Sequence, residues 1–286
     1  MSNNETPQKV ALIYAGPGVS LAPDDTVEAL EKVAIRAGFT VRRFVQQRPR
    51  SNDPTLVEQL PGGRTGAELS ATVLANAALW LAPGSDGGAT TFGGRGIGPI
   101  RWRNKNNYAT HNLLRAAGYD VLLKKAVRDG LGYVGVCAGA YLAANADNLD
   151  LLDTGVMWAR NAGERDWEIN ASPPVLGSPQ TAYRWVLLAG PHFDTSVVRD
   201  RQLEVVARFD GPPPLGGKPA AVSCQVGAGR VFLCGPHPEA PNDPGWDAGR
   251  SSAWRTAPGS VERNHDFLAA WMNAIARRTL EMGAVA

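Results

Sequence analysis

The chain reads as an α/β protein with a mostly parallel central sheet and extra β-strands in its second half. Three observations predict this. Short apolar runs alternate with helical patterns through residues 10–146, as in a parallel sheet covered on both faces. Gly- and Pro-containing turns follow several of those runs and bring loops to one edge of such a sheet. Beyond residue 184, four β-rich runs succeed one another with little helix between them.

Val10–Ala15 is a buried-strand run ended by Gly16-Pro17-Gly18. Thr26–Ala37 carries Val27, Leu30, Val33 and Ala34 at helical spacing and stops at Gly38. Thr40–Val45 is a strand, Pro49–Gly66 a loop, Ala67–Ala77 a helix, and Ala78–Ala82 a strand broken by Pro83-Gly84. A long loop spans Gly84–Asn107; loops of that size in compact domains are usually functional or mobile. Helices follow at Thr110–Ala117 and Tyr119–Arg128, divided by Gly118 and closed by Gly130. Tyr133–Val136 is a strand leading to Cys137 and a small-residue helix, Ala138–Ala146. Val156–Gln180 reads as loop. The later strands are Arg184–Ala189, Glu204–Phe209, Ala220–Val226 and Arg230–Cys234, the last two joined as a hairpin through Gly227-Ala228-Gly229. The stretch from Val261 is an amphipathic helix with Leu268, Trp271, Met272 and Ile275 on one face.

Composition excludes several classes. The 286 residues carry a net charge of +2, which gives no electrostatic reason to expect nucleic acid. No run approaches the roughly 18–20 apolar residues that cross a bilayer. Three cysteines, an odd number, make no disulfide framework. Residues 1–8 read as a flexible polar tail, and without repeats or a clean linker the chain is expected to be one cytoplasmic domain, 1–286.

Gly135-Val136-Cys137-Ala138-Gly139 lies where a strand meets a helix, the setting of a nucleophile elbow with sulfur as the nucleophile. Glycines on either side permit the tight turn, and a thiol at a helix N-terminus is drawn toward thiolate. The Ala138 amide would face the oxygen of a tetrahedral adduct. A base must come from four histidines: 111, 192, 237 and 265. His237 follows a strand in Gly235-Pro236-His237-Pro238-Glu239. Pro238 favours extended backbone at His237, so Glu239 projects to the same side and can orient the imidazole. The amides of Gly84 and Ser85 are candidate second oxyanion donors. Ser20, Asp86, Tyr141 and His192 are candidate substrate contacts. Cys224, Cys234 and His237 match no common zinc spacing. Arg101, Arg103 and Lys105 form a basic cluster in the long loop that could meet an anionic group.

With these motifs in this order, the chain resembles class I glutamine amidotransferase-like proteins, and within them the N-terminal domain family of biotin-protein ligases. The residues that carry the resemblance are Ile13–Ser20, Pro83-Gly84, Gly135–Tyr141, Ala189–Phe193 and His237-Pro238-Glu239. It implies a flavodoxin-like three-layer sandwich, a Cys137–His237–Glu239 triad, and a hydrolase or acyl transferase acting on an amide-type C–N bond. It implies a small-molecule substrate, no cofactor, and a separate synthetase or pathway partner. Glutaminase elbows usually carry Gln four residues past the cysteine, where this chain has Tyr141. There is no Gly-Arg-Gly-x-x-Gly-Arg biotin-binding stretch; Gly94-Arg95-Gly96-Ile97-Gly98 is only superficially similar. A non-catalytic ligand-binding or regulatory module keeping the same fold is the alternative.

Overall fold

The computed structural model describes residues 9–15, 19, 26–44, 69–84, 118–144, 149–152, 155–158, 165–174, 179–187, 190–194, 203–241 and 260–283. The expected tail at 1–8, the helix at 110–117 and the loops at 49–66 and 85–107 lie outside the described residues.

The strands are β1 Val10–Tyr14, β2 Thr40–Phe44, β3 Leu79–Ala82, β4 Gly132–Val136, β5 Gly155–Trp158, β6 Arg165–Ala171, β7 Thr181–Leu187, β8 Pro191–Asp194, β9 Glu204–Asp210, β10 Pro219–Val226 and β11 Gly229–Cys234. The helices are α1 Thr26–Arg36, α2 Ala71–Ala75, α3 Tyr119–Arg128, α4 Ala138–Ala144 and α5 Ser260–Gly283. Among the described residues, nine strands form one sheet in the order β2-β1-β3-β4-β11-β10-β9-β6-β7. From β2 to β11 neighbours run parallel; from β11 to β7 they run antiparallel. β5 and β8 make a separate antiparallel pair.

Strand alternation splits the parallel half between two cores. Ile13, Leu79, Leu81, Val134, Val136 and Phe232 face one side, packing with Val27, Leu30 and Val33 of α1 and Phe267, Leu268, Trp271 and Met272 of α5. Leu12, Tyr14, Trp80, Tyr133, Val231 and Leu233 face the other, against Leu74 of α2, Leu123 and Val127 of α3, and Ala140 and Ala143 of α4. Strands buried on both faces explain why β1, β3 and β4 read as continuous apolar runs.

Most elements fall where the residues predict. The helix over 119–128 has the expected bounds. The predicted 67–77 helix is shorter, because the Ser70 hydroxyl caps it by accepting from the Val73 amide at 3.2 Å. The loop expectation for 156–180 is corrected: β5 and β6 occupy much of it. In β6, Trp167, Ile169 and Ala171 are buried while Glu168 is exposed, a period-two pattern that pairs with both β7 and β9. β7 begins at Thr181, earlier than the expected Arg184. The predicted β10–β11 hairpin forms, with Val226 opposite Gly229. Its turn needs Gly227, whose φ is +62° and whose Cβ would lie 2.4 Å from the Arg128 carbonyl oxygen.

Trp271 is 1% exposed, stacks on Phe232 at 5.3 Å and donates to the Ser172 carbonyl at 3.2 Å. Trp271→Ala should cost about 3–5 kcal/mol by opening a cavity between α5 and the sheet. Urea unfolding checks this, with Trp271→Phe losing less.

Candidate active site

Cys137 sits between β4 and α4 with φ of 50°, a strained left-handed conformation that persists only where its surroundings enforce it. They do. Its amide donates to the Cys234 carbonyl at 2.8 Å, and its own carbonyl accepts from Ala140 at 3.1 Å and Tyr141 at 3.2 Å. The flanking glycines are sterically required. A Cβ on Gly135 would lie 2.6 Å from the Gly139 carbonyl oxygen, and one on Gly139 only 2.0 Å from that of Ala82. Helix α4 therefore presses main chain to main chain on the end of β3, which brings Pro83-Gly84 beside the elbow. Tyr133, fully buried, donates its hydroxyl to the Gly139 carbonyl at 2.9 Å and braces the same turn.

His237 reaches this point from β11, which pairs with β4. Between them, Gly235 is packed so closely on the next segment that a Cβ would lie 1.7 Å from the Pro191 carbonyl oxygen. The His237 amide donates to the Val186 carbonyl of β7 at 2.7 Å, which holds the histidine backbone extended as Pro238 favours. Its Nδ1 lies 2.8 Å from Glu239 Oε1. A side-chain hydrogen bond joins His237 to Cys137; with Nδ1 engaged by Glu239, the remaining ring nitrogen, Nε2, is the one that meets the thiol.

These groups are deeply placed. Cys137 is 7% exposed, His237 2% and Glu239 0%. Burial alone lowers the His237 pKa, but the charges of Glu239 and Cys137, with hydrogen bonds to both, outweigh it and push the value up to about 10. The buried thiol of Cys234 is held well above its ordinary value, by burial first and then by Glu239 and Cys137.

Of the residues expected at the site, Cys137, His237, Glu239, Gly84 and Ala138 come together. A Cβ on Gly84 would lie 2.7 Å from His237 Cε1 and 3.6 Å from Cys137 Cβ, so its main chain abuts the pair. Ala138 opens α4, and a first helical residue has no intrahelical acceptor for its amide. Tyr141 lies one turn along α4 from Cys137 and is half-buried. His192 lies on β8. Burial, then Lys218, lower its pKa, with a backbone hydrogen bond of Phe193 and the charge of Asp194 acting in opposition, and no hydrogen bond or ion pair joins it to Cys137 or His237 among the described residues. Ser20, Ser85, Asp86 and the cluster Arg101, Arg103 and Lys105 lie outside the described residues.

Three contributors escaped the sequence reading. Thr26 Oγ1 donates to the Gly84 carbonyl at 3.0 Å. The ring Nε2 of His265, on α5, lies 3.0 Å from the Glu239 carbonyl oxygen. Val186 holds the His237 amide. Each is a long-range contact with no local signature. None of the three cysteines forms a disulfide, and among the described residues no three His, Cys, Asp or Glu side chains group as a metal would require.

A scan against protein-family models finds no match, and no curated protein matches. Solved structures do. The chain is similar to the structure of PurLQS from Thermotoga maritima, at 14% identity over 92% of this chain and 98% of that one, with a TM-score of 0.55. It is also similar to a cytoplasmic protein from Salmonella typhimurium LT2, at 13% identity over 93% and 99%, with a TM-score of 0.50. At these identities the likeness is one of fold alone.

Gly139→Ala should destabilise the protein by about 3 kcal/mol or more, since neither α4 nor β3 can retreat from the added methyl; chemical denaturation measures it. The His237 pair makes a second prediction. A folded pKa of about 10 against the ordinary 6.5 means the pairing stabilises fully below about 6.5 and less as pH rises through about 10. The melting-temperature advantage of the wild type over Glu239→Gln should therefore shrink steadily across that window. A constant difference would contradict it.

Proposed function

We propose that this protein is a cysteine-dependent hydrolase or acyl transferase acting on an amide-type C–N bond through a thioester at Cys137. The single observation that carries the reading is the buried chain of hydrogen bonds from Cys137 through His237 to Glu239, at the carboxyl edge of the parallel strands where α/β sheets bind ligands.

In this mechanism the Cys137 thiolate attacks the carbonyl carbon and the oxygen takes the negative charge. Amides of Ala138, Gly84 and Ser85 stabilise that charge. The His237 imidazolium then gives its proton to the leaving nitrogen as the C–N bond breaks. Water, or an amine in the transferase case, gives a proton to His237 and attacks the thioester; the C–S bond breaks and Cys137 is regenerated. Glu239 keeps Nδ1 protonated and so aims Nε2 at the sulfur.

Several finer points belong to the same proposal. The parallel order β2-β1-β3-β4-β11 is the doubly wound order expected of a flavodoxin-like sandwich, and the unbroken nine-stranded sheet supports one domain. The narrower likeness to the biotin-protein ligase N-terminal domain family rests on the motif residues alone. Tyr141 and His192 are proposed substrate contacts. Tyr141, standing where glutaminases carry Gln, leaves the small-molecule substrate open to amides other than glutamine. A cytoplasmic location and a separate synthetase or pathway partner complete the reading; among the described residues no helix is long and apolar enough to cross a membrane.

The 7% exposure of Cys137 favours a second reading, a ligand-binding or regulatory module that keeps this fold. Iodoacetamide with peptide mass spectrometry separates the two. The catalytic reading expects rapid alkylation of Cys137 near neutral pH with Cys224 and Cys234 unmodified. It further expects Cys137→Ala to fold without turnover and His237→Asn to lose about 10²–10⁴ in kcat/KM. A Cys137 no more reactive than the other two would favour the module.

A further inference from the structure

Resting on the catalytic reading above, we infer that Thr26 is a positioning residue of the same site, holding the Gly84 main chain against the Cys137–His237 pair. Thr26 opens α1 and is 3% exposed. Its hydroxyl donates to the Gly84 carbonyl at 3.0 Å. Its methyl carbon Cγ2 lies 3.1 Å from the position a Gly84 Cβ would take, and that same position is 2.7 Å from His237 Cε1 and 3.6 Å from Cys137 Cβ. Gly84 is thus clamped at its Cα, where Thr26 and the reacting pair crowd the same face and leave no room for a Cβ.

The clamp answers a local problem. β3 ends at Ala82, so the Gly84 carbonyl lies beyond the sheet ladder, and a buried carbonyl needs a donor. The end of a carbonyl dipole is also the wrong sign to face a thiolate or a developing oxyanion. Thr26 engages that oxygen in a hydrogen bond of its own, which keeps the negative end of the dipole occupied while the Gly84 main chain stays in place beside the sulfur. Fixed donors at such a point accelerate acyl transfer because they need no rearrangement when charge develops. The sequence contains no sign of this, since Thr26 reads only as the first residue of an amphipathic helix.

The role separates two reactions of one sulfur. Acylation by p-nitrophenyl acetate forms a C–S bond, breaks the ester C–O bond and releases nitrophenolate through a tetrahedral oxyanion. Alkylation by iodoacetamide displaces iodide with no oxyanion. Thr26→Val should slow acylation of Cys137 by about tenfold or more while leaving its alkylation rate unchanged, and Thr26→Ser, which keeps the hydroxyl, should acylate close to the wild-type rate. Equal acylation in wild type and Thr26→Val overturns the inference. So does a proportional loss of both reactions, which would mark a general disturbance of the fold. If the valine variant does not fold, Thr26→Ala against Thr26→Ser makes the same comparison. A wild-type protein that is not acylated at Cys137, by mass spectrometry against Cys137→Ala, overturns the catalytic reading itself; normal wild-type acylation with an unaffected Thr26 variant overturns only the role of Thr26.

Discussion

Parallel pairing of β11 with β4 sets up the whole site. The register places Cys234 opposite Val136, and the pairing continues one step further as the Cys137 amide donates to Cys234 at 2.8 Å. Both strands then leave the sheet at the same edge. One turns through Cys137 into α4 and the other through Gly235 toward His237. Two segments remote in sequence are delivered side by side because they end adjacent strands. A register shift of one residue would turn every side chain of β11 to the opposite face, exchanging the places of Phe232 and Leu233 between the two cores.

The antiparallel half gives that edge its rigidity. Starting from β11, the sheet passes through β10, β9 and β6 to β7, yet the far strand returns to the site, since Val186 of β7 accepts the His237 amide at 2.7 Å. Helix α5 ties the same two segments together. Asn264 donates to the Arg184 carbonyl at 2.7 Å, while the neighbouring His265 meets the Glu239 carbonyl at 3.0 Å. Trp185 and Tyr183 of β7 pack on Phe267 with ring centroids 5.1 Å apart. The short His-Pro-Glu segment is therefore held from the sheet and from the helix, and its imidazole has little freedom to swing from the sulfur.

What could be read from the residues follows the range of the interactions. Val10–Tyr14, Leu79–Ala82 and Gly132–Val136 announce themselves because strands buried on both faces are continuously apolar. The elbow and the His237–Glu239 pair are equally local, one set by glycine sterics and the other by Pro238 and the two-residue repeat of extended chain. β6 carries a local signal too, with Trp167, Ile169 and Ala171 alternating, but Gly163 on one side and Pro173-Pro174 on the other resemble loop punctuation. β8 is four residues long and begins with a proline, too short for any pattern. The contacts of Thr26 with Gly84, Val186 with His237, and His265 with Glu239 depend on strand order, and no window of sequence contains that.

Stability alone does not explain why this edge carries charge. A buried ion pair offers little net stabilisation against apolar packing of the same volume, because desolvation consumes most of the attraction. Here desolvation is the largest single influence on His237, and the charges of Glu239 and Cys137, with hydrogen bonds to both, outweigh it. Glu239 is fully buried, yet its Oε2 has no hydrogen-bond partner among the described residues, a further cost of about 1–3 kcal/mol or more for a charged group. The φ of 50° at Cys137 adds strain of about 1–3 kcal/mol. A leucine and a methionine would fill the same space without these penalties. On the catalytic reading proposed above, a strained cysteine, an orphaned carboxylate oxygen and a costly imidazolium on three touching residues are costs that proton transfer and thiolate chemistry would repay, and the two packed cores beside them are where the offsetting stability resides.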